Sequence, residues 1–352
     1  KIKLTLLYAK VLFTEGSVKK ASQLLAAINA DKNTPTAYWN MLGKAYINLG
    51  EFQQADKHFK TWLEFQPNNK AAMLSHLVML DGKGDFKEAL TLTTAALEKK
   101  NDDVQVQLLH THFLMVTQSF DLAQQSYKTL PEKVKELPFA RGLKGQLQIN
   151  AKQYQLALPN MNEAYQAQTN ARNSRLLFLC LTRLQKKTQA LSFLTQHVNK
   201  HEKDIASLML LASVQLQGNV EEAIKTYEKA LIVKADNFIA LNNLAYLSFE
   251  NKRLEKAEGY ARRALELKPQ QADVLDTLGQ ILIAKKKYEQ ALSFLTKAVS
   301  DTNVKEEIYL NYIEALLLNN KIVIAKRKIG QREFKLQASI DKLELLKNQY
   351  DL

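Results

Sequence analysis

An alanine recurs along this chain at near-constant spacing: Ala21, Ala55, Ala89, Ala123, Ala157, Ala190, Ala223, Ala257, Ala291 and Ala325. Successive intervals are 34, 34, 34, 34, 33, 33, 34, 34 and 34 residues. Such a period makes the chain ten copies of one unit rather than a string of unrelated domains. A small residue kept at one place in every copy marks a point where two segments approach too closely for a larger side chain.

The stretch WNMLGKAYINLGEFQQA, residues 39 to 55, shows what one copy is made of. Trp39, Leu42, Gly43 and Tyr46 lie three or four residues apart on one face of a helix, and Gly50 then breaks the run. A second helix follows, carrying Ala55. Composition extends this reading to the whole chain. A length of 352 residues would suggest two or three domains at roughly 150 residues each, yet no composition shift or Pro/Gly/Ser-rich linker divides it. With 11 Gly and 6 Pro among abundant Leu, Ala, Lys, Gln and Glu, the chain is expected to be all-α.

Counting Thr36 as position 1 places Trp39, Leu42, Gly43, Tyr46, Gly50, Ala55, Phe59 and Pro67 at positions 4, 7, 8, 11, 15, 20, 24 and 32. Residues 238 and 272 start equally clear copies. One has Leu241, Leu244, Ala245, Ala257, Ala261, Ala264 and Pro269; the other has Leu275, Leu278, Gly279, Leu282, Tyr288, Ala291, Leu295 and Ala298. This series resembles the tetratricopeptide (TPR) repeat, whose period is about 34 residues. The register gives repeats near 2–35, 36–69, 70–103, 104–137, 138–170, 171–203, 204–237, 238–271, 272–305 and 306–330. Residues 331–352 form a C-terminal cap through Leu336, Ile340, Leu343, Leu346 and Tyr350. The resemblance implies one α-α superhelix, a TPR solenoid of about ten helical hairpins. Gly16, Gly50, Gly84 and Gly218 fall at position 15, where a left-handed residue ends the first helix. Pro131 and Pro138 should cut the fourth repeat short, and Pro159 should kink the helix it interrupts, giving an irregular joint around 131 to 165.

Function depends on which face stays free. At about 100° per residue, positions 4, 7, 8 and 11 cluster in the core, leaving 2, 5, 9 and 12 for the inner, concave surface. That surface starts with Lys3, Leu6, Lys10 and Phe13, then Ala37, Asn40, Lys44 and Ile47. Its middle reads as apolar, with Leu74, Val78, Leu108, Met115 and Phe139 beside Asp81 and His112. Its far end reads as acidic, with Asn242, Tyr246, Asp273, Asp276, Gln280, Glu307 and Glu314. The apolar residues have two readings, as a site for an extended peptide or as contacts with a neighbouring repeat.

The chain carries 49 Lys and Arg against 36 Asp and Glu, a net charge of +13. Most of the clusters, such as Lys285 to Lys287 and Lys326 to Lys328, fall at turns, on second helices or in the last hairpin; Arg172, Arg175 and Arg183 are the exception. No aromatics interleave them as a single-strand binder requires, so a solvated basic exterior is expected and nucleic acid is not.

Catalytic signatures are missing. His110 and His112 point about 200° apart on a helix. His197 and His201 share a face but lack the Glu of a zincin, and DGKGD at 81–85 lacks calcium-loop spacing. There is no phosphate-binding GxxxxGK and no nucleophile elbow. Cys180 sits among Leu177, Phe178, Leu179 and Leu181 and reads as buried. No catalytic residue, metal or cofactor is expected, and the partner is a protein or peptide client.

Against the family's chaperone-tail clamp, Asn40 and Lys44 occupy the relevant positions in reversed order. A narrower likeness lies in residues 238–299, where ALNNLAYL, ALELKP and ADVLDTLGQIL resemble bacterial PEP-CTERM/exosortase-system TPR lipoproteins. That implies a scaffold in export or exopolysaccharide-associated protein sorting, periplasmic or anchored at the outer membrane. The competing expectation is a cytoplasmic adaptor or the sensor region of a regulatory protein. No apolar run reaches the roughly 18 residues of a membrane span. The chain begins with Lys, so a lipid anchor or signal is expected to lie upstream of it.

Overall fold

The computed structural model describes residues 2–100, 102–300 and 303–352, and among these it contains 22 helices and no strand. Two compact units divide the chain, Lys1–Thr169 and Asn170–Leu352. Their boundary falls between the fifth and sixth repeats, where the alanine interval first drops to 33 residues.

The first unit holds α1 (Ile2–Thr14), α2 (Val18–Ala26), α3 (Thr36–Asn48), α4 (Phe52–Phe65), α5 (Lys70–Lys83), α6 (Phe86–Lys99), α7 (Val104–Val116), α8 (Phe120–Thr129), the short α9 (Glu132–Lys135), α10 (Pro138–Asn150) and α11 (Tyr154–Ala167). The second holds α12 (Ala171–Arg183), α13 (Lys187–Lys200), α14 (Ile205–Gln215), α15 (Val220–Val233), α16 (Phe238–Glu250), α17 (Leu254–Leu267), α18 (Ala272–Ala284), α19 (Tyr288–Ala298), α20 (Glu306–Leu318), α21 (Ile322–Gly330) and α22 (Gln337–Tyr350). Within each unit, a first helix packs on the second helix of its own repeat and on the second helix of the repeat before it. Neither hairpin could bury its apolar stripe alone, so stacking supplies the core. Among the described residues no helix is long and apolar enough to cross a membrane.

The ten alanines at position 20 are buried, none of them more than 2% exposed. Close approach continues at positions 8 and 24. A Cβ on Gly43 would lie 2.2 Å from Phe59 Cζ, one on Gly145 2.7 Å from Met161 Sδ, and one on Gly279 2.5 Å from Leu295 Cγ. Where position 8 is Ala245, position 24 shrinks to Ala261 and both are fully buried. In these four repeats a small residue on the first helix makes room for the second helix. Trp39 also stacks on Trp62 within its repeat, at 5.8 Å between ring centroids.

Position 15 is left-handed in nine of the ten repeats, and in six of those the residue is not glycine. Gly16, Gly50 and Gly84 have φ of +74°, +74° and +81°; Gln118, Lys152, Gln185, Lys252, Lys286 and Asn320 lie at +58° to +64°. The turn closes in the same way each time. After α16, Arg253 N–H donates to Ser248 O and Lys252 N–H to Phe249 O, both at 2.8 Å, which satisfies two carbonyls at the helix end. Gly218 departs from the expectation. α14 ends at Gln215, whose carbonyl accepts from Gly218 N–H and Asn219 N–H, so the chain turns without a left-handed residue.

Pro159 does not end α11, which runs from Tyr154 to Ala167. Pro159 and Gln155 are both exposed, so the carbonyl that loses its helical donor is left to water, while Ala157, Met161 and Ala164 hold the buried face. Between 131 and 138 the chain forms only the short α9, where Pro131 and Pro138 are expected to cut the fourth repeat short. The cap forms as α22, which packs on α20 and buries Leu343 and Leu346; Leu336, expected to join them, is exposed.

A left-handed lysine stores conformational energy that glycine does not. Lys252→Gly is expected to raise stability by about 0.5–1 kcal/mol, while Gly50→Ala, with nothing within 4 Å of the new methyl, should cost about 1 kcal/mol from backbone strain alone. Urea denaturation followed by circular dichroism measures both; a lowered midpoint for Lys252→Gly would contradict this account of the turn.

Candidate interaction surface

Hydrogen bonds between neighbouring first helices define the face carried by positions 2, 5, 9 and 12. Ser75 Oγ donates to Asn40 Oδ1 at 2.9 Å, linking α5 to α3. His112 Nε2 meets Asp81 Oδ1 at 2.9 Å, linking α7 to α5. Asn311 Nδ2 donates to Asp276 Oδ1 at 2.8 Å, linking α20 to α18. The first helices of each unit thus lie side by side.

In the first unit, Asn40, Lys44 and Val78 are exposed and Leu74 is half-buried. His112 and Met115 are buried, which corrects their expected place on the open face, and Leu108 is buried with them. Their cover is α10, whose Ala140 and Leu143 join Leu108, Leu114 and Met115 in one cluster with Ala123 and Tyr127 of α8. For Leu108 and Met115 the contact reading holds. Phe139, at the start of α10, remains exposed beside the His112 ring, 5.7 Å between centroids.

In the second unit, three of the four acids read from the sequence are already partnered within the chain, and the fourth, Glu307, is exposed. Asp273 pairs with Lys305 at 2.6 Å. Asp276 is buried, which corrects its assignment to an open surface; it accepts from Asn311 and from Gln280 Nε2, the latter at 2.7 Å. Burial pushes its carboxyl pKa up despite these donors. Glu314 pairs with Lys342 of α22 at 2.8 Å, and the same ammonium donates to Asn311 Oδ1. The cap supplies a cation to this face as well as covering the core. Asn242 is half-buried, with Oδ1 enclosed and without a partner among the described residues.

Beside Glu307, two large side chains of α16 stay open. Tyr246 at position 9 is 51% exposed, and Ile239 at position 2 is 61% exposed. Partial burial, together with the nearby Glu250 and Glu307 carboxylates, pushes the Tyr246 hydroxyl pKa up. Ile239 falls in the same register as Tyr246, and that register is the sequence signal that marks it.

The histidines are structural. His197 is buried, and its Nε2 is committed to Asp204 Oδ2 at 2.9 Å while its ring stacks on His201. His110 Nδ1 meets Thr93 Oγ1, away from His112. Asp56, His76 and Glu88 bring ligand atoms within 4.8 Å of one another, a cluster that sequence spacing did not reveal. A cation already occupies it, because Lys60 Nζ lies 2.8 Å from Asp56 and 2.9 Å from Glu88 while His76 Nε2 bonds Asp56. Cys180 is buried, which pushes its thiol pKa up to about 11 and keeps it protonated.

Comparison with known proteins adds the fold's lineage. Models of the tetratricopeptide repeat match residues 36–69, 216–272 and 272–300. A curated relative, BBSome complex member BBS4 of Bos taurus, is 24% identical over 319 residues, covering 86% of this chain and 53% of that protein. The chain therefore spans about half the length of the curated relative it matches. Among solved structures, the APC/C hetero-tetramer Cut9-Hcn1 gives a TM-score of 0.53 at 16% identity, covering 85% of this chain and 59% of that one. The MamA protein gives 0.42 at 16% identity, covering 52% and 96%. At 16% identity the likeness to the Cut9-Hcn1 chain is one of fold.

One pair of this surface's supporting contacts responds to pH. Burial alone would raise the Asp204 pKa, but donors from His197 and Ser207 outweigh it and hold the carboxyl below its ordinary value. Its stabilising contribution is therefore complete above the unfolded carboxylate pKa and is lost as pH falls through the lower folded value. Asp204 also caps α14 by accepting from Ser207 N–H. Asp204→Ala should cost about 1–2 kcal/mol at neutral pH, with the gap to the parent narrowing as pH falls below the unfolded carboxylate value of about 4; thermal melts across pH read this out, and a constant gap would refute it.

Proposed function

Taking the chain as an array of tetratricopeptide repeats, we propose that it is a non-enzymatic scaffold that binds a protein or peptide client along the first-helix face of its second unit. One observation carries this reading. α16 holds Ile239 and Tyr246 exposed on the face where α18 carries the partnered Asp273 and Asp276, while Leu241, Leu244 and Leu247 of α16 are buried. An exposed isoleucine and tyrosine on a helix held rigid from both sides form a preorganised apolar anchor site. Glu250 and Glu307, both exposed, lie close enough to act on the Tyr246 hydroxyl and give the site an acidic rim. The fitting client has an apolar side chain to set against Tyr246 and a basic residue beside it. Asp273, Asp276 and Glu314 support the site through internal pairs instead of contacting the client.

The site is tested by affinity capture from a lysate of the source organism, with the parent and an Ile239→Asp/Tyr246→Ala variant as baits. Both positions are exposed, so the variant should fold with an unchanged helical signal. Clients held by the parent and reduced roughly tenfold on the variant, a loss on the order of 1.4 kcal/mol, place recognition here; an unchanged client list removes the site.

The setting in which the scaffold works is a second step of the proposal. The likeness of residues 238–299 to bacterial export-associated repeat lipoproteins supports a role in export or exopolysaccharide-associated sorting. Fractionation of the full-length gene product should then recover it with the cell envelope; recovery from cytosol would favour the adaptor reading instead.

A further inference from the structure

Six second helices are long enough to reach position 29 of the repeat, and one of them departs from the others there. α4, α6, α11, α13 and α17 carry Glu64, Glu98, Gln166, Asn199 and Glu266, all exposed. In α15 the same position is Ile232, which is 85% exposed, with Val233 beside it at 39%. Scattered exposed apolar residues are ordinary. Ile232 is different, because it replaces a polar residue at a solvent-facing position and because it lines a cavity. That cavity, about 550 Å³, lies between the C-terminal ends of α13 and α15. Buried Val198 and Leu208 form its floor, Ile232 and Val233 form one wall, and Lys203, Lys229 and Glu202 stand exposed around it. Its size falls in the range of roughly 300–1,000 Å³ that small-molecule sites occupy.

Charge sets the head group of the ligand. Neither Lys203 nor Lys229 makes an ion pair among the described residues, and Lys229 lies one turn before Ile232 and Val233 on the same side of α15. The corresponding crevice of the first unit is built otherwise. It lies between α4 and α6, with Leu63 at position 28 where the second unit has Val198. There Lys70 pairs with Asp103 at 2.8 Å and Lys100 with Asp102 at 3.9 Å, and position 29 is polar on both helices. Only the second unit joins an exposed aliphatic wall to unpaired ammonium groups. We propose that its cavity binds a single-chain aliphatic carboxylate, with the alkyl chain laid on Ile232, Val233 and the floor and the head group between Lys203 and Lys229. A cationic head would meet two like charges there, and a short carboxylate would leave the apolar wall in water. The site is separate from the Ile239–Tyr246 face, which belongs to a first helix.

The probe is sodium dodecanoate, held below its micelle concentration and titrated calorimetrically into the whole chain. Acetate controls for the chain and dodecyltrimethylammonium for the head group. Saturable binding of dodecanoate alone is expected. Ile232→Glu installs the residue that Glu64, Glu98 and Glu266 already supply at this position, so circular dichroism should be unchanged, while affinity falls roughly tenfold. Lys203→Gln/Lys229→Gln should weaken binding with a loss that shrinks as salt rises, and Ile239→Asp/Tyr246→Ala should bind as the parent does. Equal affinity for dodecyltrimethylammonium, or affinity indifferent to Ile232→Glu, overturns the proposal. So does loss of binding in Ile239→Asp/Tyr246→Ala, which would move the ligand to the other face. Capture by phosphatidylglycerol vesicles without saturable dodecanoate binding overturns it too, because the surface would then meet a bilayer.

Discussion

The close approach of two helices within each repeat is the constraint on which the rest depends. At position 20 a buried alanine lets one backbone approach the other, and ten repeats of that contact give ten hairpins of one shape. The adjoining positions 8 and 24 are more permissive. Glycine at position 8 admits a phenylalanine, a methionine or a leucine, as in Gly43 with Phe59, Gly145 with Met161 and Gly279 with Leu295, whereas Leu211 and Tyr227 are both large and both buried. Interiors at crystal-like density transmit such substitutions to their neighbours. Neither position therefore shows a strict residue preference, while the alanine at position 20 persists.

Once the hairpins are alike, neighbours stack alike, and charge pairing follows the period. Arg253 reaches Glu221, Lys285 reaches Glu255 and Glu258, Lys60 reaches Glu88, and Lys305 reaches Asp273, each joining adjacent repeats about one period apart. Exposed pairs of this kind contribute little individually. Their larger effect is on the map of free charge: acids that a helical wheel assigns to an open groove are neutralised by cations one repeat further on. The excess of lysine and arginine is partly spent on such pairs and is otherwise distributed over solvent-facing surface.

How much of this could be read in advance follows from the same distinction. Periodicity is a local property, so the hairpins, the alanine contacts, the burial of Cys180 and the C-terminal cap were legible in the order of residues. The left-handed turn was legible only where glycine marked it; Lys252 and Lys286 adopt the same conformation because the turn's hydrogen bonds impose it, and Gly218 does not because α14 stops early. Burial of His112 and Met115 depends on where α10 lies, and burial of Asp276 on Asn311 and the cap. A single repeat's helical wheel contains neither neighbour. Lys305 meets Asp273 from 32 residues further on, beyond what a wheel of one helix contains.

The last repeat tests that principle. After it, α22 takes the place that a next first helix would hold: Leu343 and Leu346 complete the core, and Lys342 satisfies Asn311 and Glu314, groups that a following repeat would otherwise meet. A face that closes a stack needs polar partners of its own as well as cover for its apolar residues. One lysine meets both polar groups here because Asn311 and Glu314 lie a helical turn apart on α20, within reach of a single ammonium.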